Sequence, residues 1–356
     1  MTKLILLGAG KIGETITHFL QASGDYAMTV ADQDPARLAP MAALGASTVR
    51  AEFGDPRALR ELIRGHQYVI SACPFHLTPV IAAAAVDVGA HYFDLTEDVE
   101  STRRVKALAT SATTALVPQC GLAPGFISVL AYAMTRKFDS LRDVQMRVGA
   151  LPVYPTNALK YNLTWSTDGL INEYCNPCEA INDGRLRETL ALEEIEAFSL
   201  DGVAYEAFNT SGGLGTLCET LEGKVENLNY KTVRYPGHRD IVKMLIRDLR
   251  LGQRREILKD VLEESVPMTH QDVVLVFVTV SGMREGRLTQ ESYAKKIYSK
   301  TIGGKLYSAI QVTTAAGICA MVDMMRDGAL PARGFVRQEE AELDKFLGNR
   351  FGQHYM

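Results

Sequence analysis

Arg234, Tyr235 and His238 lie within five residues of one another in KTVRYPGH (231–238), around a Pro236-Gly237 turn. A guanidinium is a planar fork that pairs both oxygens of a carboxylate, which the ammonium of a lysine does not do. An unperturbed imidazole titrates near neutrality and suits a general base. Two acids, Asp94 and Glu97, follow a strand-like run in HYFDLTED (91–98), and Cys120 follows another in TTALVPQCGLAPGF. Together these residue types point to a site that holds an anionic substrate and moves a proton. Arg234 would take a carboxylate, and Tyr235 would orient it or donate to the substrate. Asp94, Glu97 or His238 would accept a proton or hold an amine. Cys120, Lys160 and Trp165 would line the pocket. Each has a plainer alternative. Arg234 can be a strand arginine in a surface ion pair, Tyr235 a core tyrosine and Cys120 a small buried thiol. Asp94 and Glu97 can cap the helix that VESTRRVKAL predicts, and His238 can be a helix-entry residue.

The elements that must position these groups begin with KLILLGAGKIGETITHFLQASG (3–24). Leu4 to Leu7 read as a buried parallel strand, and Ile12, Ile16, Phe19 and Leu20 recur at helical spacing. Between them Gly8, Gly10 and Gly13 complete G-x-G-x-x-G, with Lys11 and Ile12 opening the helix. Gly8 serves a tight turn, Gly10 lets a pyrophosphate approach the backbone, and Gly13 lets helix and strand pack closely. Asp32 ends a second strand, nineteen residues beyond Gly13, near where a ribose-binding acid is expected. A carboxylate there accepts from the adenosine 2′-hydroxyl and repels a 2′-phosphate, favouring NAD over NADP; Arg37 is placed to reach such a phosphate.

The alternation continues. STVRAEFGDPRALRELIRG reads as strand, turn and helix, with Asp55 either contacting adenine or capping the helix. HQYVISACPF is a fourth strand, whose end puts Cys73 and Pro74 beside the cofactor, since ligands sit beyond the carboxyl ends of strands in an open α/β sheet. TPVIAAAAVDVGA is a helix and HYFDLTED a further strand. The expected fold class is therefore α/β, a Rossmann doubly wound parallel sheet over 1–124. Beyond it, SLRDVQMRVGALPVY, LNYKTVRYPGH, QDVVLVFVTVSGMREGRL and ESYAKKIYSK read as long strands of a second, α+β mixed-sheet domain over 125–308. YNLTWSTDGLINEYCNPC reads as a helix entered from Trp165-Ser166, and RDIVKMLIRDL as another. SAIQVTTAAGICAMVDMM predicts a helix in a C-terminal segment, 309–356, that returns to the first domain.

Bulk properties set limits. The 356 residues carry 38 basic and 42 acidic side chains, a formal charge of -4 without the basic excess of a nucleic-acid binder. No apolar run approaches the ~18 residues of a membrane span. Lys3 leads directly into the first strand, without a signal-peptide cleavage pattern, so a cytoplasmic location is expected. Six cysteines in a chain of this length do not make a disulfide scaffold. Cys175 and Cys178 form a CxxC with no second Cys or His pair near it, so no metal site is expected.

GAGKIG, ACPF, YFDLTED, QCGLAPGF, TSGGLGTL, KTVRYPGH and VTTAAGICAMV carry a resemblance over almost the whole chain. The chain resembles the saccharopine dehydrogenase-like oxidoreductases, and among them the lysine 6-dehydrogenases. It departs from the family at Ala123 in GLAPG, where an acid is usual, which leaves the substrate contacts open. The resemblance implies NAD-linked oxidation of a carbon–nitrogen bond: the terminal amine of L-lysine loses hydride to NAD, and the imine is hydrolysed to a semialdehyde that cyclises. It implies a small amino-acid substrate and a homodimer or larger homo-oligomer. Two alternatives stay open. One is reductive condensation of an amine with a carbonyl compound, as saccharopine and carboxynorspermidine enzymes perform. The other is a non-catalytic NAD-binding protein.

Overall fold

A computed structural model describes all residues, Met1–Met356. The chain forms two compact units, Met1–Val129 with Gln311–Met356, and Leu130–Ile310.

The first unit opens with β1 (Thr2–Leu7), α1 (Lys11–Ser23), β2 (Tyr26–Asp32), α2 (Pro35–Ala43), β3 (Ser47–Arg50), α3 (Pro56–Ile63), β4 (Tyr68–Ser71), α4 (Thr78–Val88), β5 (His91–Asp94), α5 (Val99–Ala109) and β6 (Ala115–Val117). The strands pair in parallel in the order β6-β5-β4-β1-β2-β3. β1 lies at the centre, and its Leu4 to Leu7 run is fully buried, as a strand covered on both faces requires. α2 and α3 begin with Asp34 and Asp55 as caps and a proline in the first turn, where a missing N–H costs nothing.

The chain then forms α6 (Phe126–Thr135), β7 (Ser140–Pro152), α7 (Thr167–Cys175), β8 (Cys178–Asn182), β9 (Arg185–Thr189), β10 (Glu196–Leu200), β11 (Val203–Asn209), α8 (Leu217–Leu221), β12 (Val225–Arg234), α9 (His238–Lys243), α10 (Arg255–Ser265), β13 (Asp272–Arg284), β14 (Arg287–Tyr298), β15 (Lys300–Ile302) and β16 (Lys305–Tyr307). The second unit's large sheet runs β10-β11-β12-β7-β13-β14, with β8 added on β12 and β9 on β8. It is mixed: β12 and β7 are parallel, and the other pairs antiparallel. Three hairpins turn on two residues with positive φ, Asp183-Gly184, Asp201-Gly202 and Glu285-Gly286, as tight turns between twisted strands demand. Tyr161, Leu170, Ile171 and Tyr174 form one core with Phe208, Leu258 and Leu262. A second cluster joins Leu151, Tyr205, Val233 and Leu275. The helix expected over RDIVKMLIRDL is interrupted: α9 gives way to a π-helical turn at Met244–Asp248.

The last segment rejoins the first unit through α11 (Ala309–Arg326), β17 (Gly334–Phe335) and α12 (Leu343–Gly348). β17 adds to β6 in parallel and completes a seven-stranded sheet. Asp323 of α11 accepts from Tyr26 Oη at 2.7 Å and pairs with Arg350 at 2.8 Å, which ties the segment to β2. No helix is long and apolar enough to cross a membrane.

Candidate functional site

In the first unit the glycine turn joins β1 to α1. A Cβ on Gly8 would lie 2.7 Å from the Ala72 carbonyl oxygen and 3.3 Å from the Cys73 nitrogen, so Cys73 and Pro74 flank the turn at the end of β4. A Cβ on Gly13 would lie 2.1 Å from the Gly8 oxygen. Gly10 differs: nothing lies within 4 Å of its Cβ position, and no side chain caps α1, whose N-cap it is. Lys11 and Ile12 form the first turn there, and Gln311 donates to the Lys11 carbonyl at 3.4 Å. With no side-chain cap and open space at Gly10, the positive end of this helix fits a diphosphate.

Asp32 is buried. Its Oδ2 accepts from Ala9 N at 2.7 Å and its Oδ1 from Asp34 N at 2.9 Å. The carboxylate is thus fixed against the glycine turn, with lone pairs remaining for ribose hydroxyls. Arg37 pairs with Asp34 at 3.5 Å, and Arg50 donates to the Gln33 carbonyl at 3.3 Å. Of the two roles open to Asp55, capping is the one formed: its Oδ1 accepts from Arg57 N at 2.9 Å.

At the end of β5, Asp94 does not cap α5; Asp98 does, accepting from Ser101 N at 2.7 Å. Asp94 Oδ1 accepts from Thr96 N at 3.0 Å and Gln119 N at 2.9 Å, so one oxygen clamps the loops after β5 and β6. Burial raises its pKa to about 6 against those two bonds. Glu97 is half-buried on the same loop, between β5 and α5. Of the two readings of Cys120, pocket wall or small buried thiol, the structure has the second. It is fully buried, its thiol donates to the Val117 carbonyl at 3.0 Å, and burial, with Asp94 adding, pushes its pKa well up.

In the second unit, Arg234 ends β12 and is only 2% exposed. Its Nε donates to Tyr174 Oη at 2.9 Å and its Nη1 to the Val233 carbonyl at 2.9 Å. Its guanidinium carbon lies 4.9 Å from the Tyr161 ring centre and 5.8 Å from that of Tyr174. Burial opposes its charge, but Tyr174, Tyr161 and Glu173 outweigh that and raise its pKa. Nη2 makes no hydrogen bond to protein. In the same cluster the buried Tyr161 hydroxyl lies near the side chains of Thr164 and Trp165, and neither it nor Thr164 Oγ1 makes a well-formed hydrogen bond. Buried polar atoms in proteins are nearly always satisfied, so this cluster is where a polar ligand would be held.

The turn after Arg234 is held from several directions. Glu206 accepts from Gly237 N at 2.8 Å and Arg239 N at 2.7 Å. Lys160, exposed and at φ 50°, donates from Nζ to the Pro236 carbonyl at 2.8 Å, which makes it a clamp on the turn instead of a pocket wall. His238 is buried, with Nδ1 2.8 Å from the Leu159 carbonyl and Nε2 3.0 Å from Tyr174 Oη. Burial, helped by Arg234, lowers its pKa to about 3, so the expected near-neutral base is not there. Tyr235 does not orient Arg234 either: its hydroxyl donates to the Pro152 carbonyl at 2.9 Å and its ring stacks on Tyr205. Trp165 packs half-buried against the cluster of Tyr161 and Tyr174. Sequence reasoning missed Tyr174, Tyr161 and Glu206. No motif marks them, because each reaches the site through the fold.

A doubly wound sheet with this glycine turn, and a second unit bearing a buried cationic site, define a nicotinamide-nucleotide oxidoreductase. A family model described as the saccharopine dehydrogenase NADP binding domain matches residues 4–121, and one described as the saccharopine dehydrogenase C-terminal domain matches residues 121–351. The chain belongs to the saccharopine dehydrogenase family. Mitochondrial alpha-aminoadipic semialdehyde synthase of Rattus norvegicus is 21% identical over 195 residues, covering 52% of this chain and 21% of that protein. The Mus musculus protein of the same name is 20% identical over the same length. The chain thus spans about a fifth of these relatives. The structure of apo saccharopine dehydrogenase (L-Glu forming) from Saccharomyces cerevisiae superposes with a TM-score of 0.78 over 100% of this chain and 96% of that one, at 17% identity, a likeness of fold.

Proposed function

We propose that the protein oxidises the terminal amine of L-lysine or a similar basic amino acid, with NAD as acceptor. The observation that carries this reading is Arg234, a buried guanidinium whose Nε and Nη1 are committed to protein while Nη2 is not. A carboxylate oxygen matches that donor, in a charge-assisted hydrogen bond. The bound nicotinamide supplies the hydride acceptor. The glycine turn and α1 hold its diphosphate, and Asp32 takes the ribose hydroxyls and disfavours a 2′-phosphate. Before hydride leaves the carbon, the ammonium must lose a proton, and Glu97 is the proposed acceptor. Water then converts the imine to the aldehyde and ammonia, so each turnover releases one reduced cofactor and one ammonia. Asp94, clamped to two backbone N–H groups, holds the loop that carries Glu97.

The test is absorbance of NADH with NAD and L-lysine at alkaline pH, together with ammonia release. No turnover across a panel of basic amino acids would count against the reading. A second reading within the saccharopine dehydrogenase family is the reductive joining of an amine to a carbonyl compound. NADH consumption only when both partners are supplied would select it.

A further inference from the structure

The geometry points to His238 as a positioning residue: a neutral imidazole that fixes the direction of the Tyr174 hydroxyl and, through it, the orientation in which Arg234 offers Nη2 to a carboxylate. This rests on the reading of Arg234 as the carboxylate anchor.

The argument follows the direction of each proton. The Leu159 carbonyl only accepts, so the His238 nitrogen 2.8 Å away, Nδ1, carries hydrogen. In a neutral ring Nε2 then has a lone pair and only accepts. The Tyr174 hydroxyl, 3.0 Å from it, must therefore donate. With its proton spent on His238, the Tyr174 oxygen turns its lone pairs to the remaining neighbour, Arg234 Nε–H, at 2.9 Å. Every donor meets an acceptor, and the chain ends on the Nε–H that shares one edge of the guanidinium with Nη2.

What faces the imidazole keeps it neutral. Arg234 of β12 contributes repulsive charge, and the rings of Tyr161, Tyr174 and Phe208 surround it at 5.4, 5.9 and 6.4 Å between centres. A protonated ring would put Nε2–H against the Tyr174 proton and force the hydroxyl to turn, towards Arg234 Nε–H. The position therefore requires a hydrogen-bond acceptor at Nε2 and leaves no opening for proton transfer.

Substitution separates positioning from base catalysis. His238→Gln puts an amide oxygen near the Nε2 position and keeps an acceptor for Tyr174; His238→Leu removes it; neither can act as a base. We expect His238→Leu and Tyr174→Phe each to raise the KM of L-lysine about tenfold, the scale of one lost orienting hydrogen bond, with a smaller change in kcat. His238→Gln should recover most of that loss, and His238→Leu should add little in the Tyr174→Phe background. A large fall in kcat shared by Gln and Leu, with the acid limb of the pH profile lost, would overturn the assignment. A second measurement needs no turnover. Nitrogen NMR of histidine-labelled protein should show Nδ1 protonated and Nε2 bare, unchanged between about pH 5 and pH 8, where a free imidazole titrates. An Nε2–H tautomer, or titration in that range, would overturn it. Arg234→Ala is the control: if the KM ignores that change, the carboxylate reading fails, and the NMR result still decides His238.

Discussion

Tyr174 Oη accepts the Nε–H of Arg234 at 2.9 Å, from a helix sixty residues upstream of the strand that carries the arginine. The contact fixes one side of the guanidinium, and the Val233 carbonyl holds Nη1. An arginine held in this way presents its remaining donors in a set direction, so little ordering is left for a ligand to impose.

The three glycines of the first turn should not behave alike. Gly13→Ala puts a Cβ 2.1 Å from the Gly8 oxygen, so it should destabilise the protein by at least the ~1–3 kcal/mol of an overpacked site. Gly10→Ala meets nothing within 4 Å in the protein and should melt near the unaltered protein while losing affinity for the dinucleotide. Thermal melts with and without nucleotide check both. Equal destabilisation of the two variants would refute the assignment of Gly10 to the ligand.

Asp32→Ser should narrow the proposed preference for NAD over NADP, because the negative charge that would repel a 2′-phosphate is gone while Arg37 and Arg50 remain on the neighbouring segments. The ratio of kcat/KM for the two cofactors measures this. An unaltered ratio would show that another group selects.

Asp94 has a folded-state pKa raised to about 6 by burial, above its unfolded value. Its contribution to stability is therefore full at low pH and is lost as pH rises through about 6. Asp94→Asn keeps an oxygen for the Thr96 and Gln119 N–H groups and does not ionise. Relative to the unaltered protein the variant should gain stability between pH 4 and pH 8, by up to about 3 kcal/mol for a shift of roughly two pH units. Asp272, also raised to about 6, is present in both proteins and cancels in the difference. Urea unfolding at pH 4 and pH 8 reads the effect. Parallel stability curves would show that Asp94 does not titrate in this range.

The first unit was largely legible because its signals are local. The glycine spacing, the apolar run of β1 and Asp32 at the end of β2 all lie within one β-α-β unit. The cluster around Arg234 was legible only in part. KTVRYPGH marked Arg234, but its partners Tyr174 and Tyr161 lie on and before α7 and meet it through sheet packing. Tyr235 looked like the natural neighbour of Arg234, yet β12 ends at Arg234 and the Tyr235 hydroxyl goes to the Pro152 carbonyl instead. Residues 178–209 yielded no elements from their pattern, although β8 to β11 lie there. β9 is mostly exposed, RLRET with no apolar alternation, so periodicity had nothing to report. The Asp-Gly pairs at 183–184 and 201–202 were the available hairpin signal. His238 misled because its chemistry depends on burial, which its neighbours in sequence do not reveal.

The central claim is that Arg234 binds the substrate carboxylate. It is tested by comparing L-lysine with cadaverine, the same diamine chain without the carboxylate, in the unaltered protein and in Arg234→Ala. The account predicts that the KM of L-lysine rises by one to several decades, the scale of the ~2–5 kcal/mol lost with a buried charge-paired contact, while the KM of cadaverine stays within about twofold. An unchanged KM for L-lysine, or an equal rise for both amines, would contradict it.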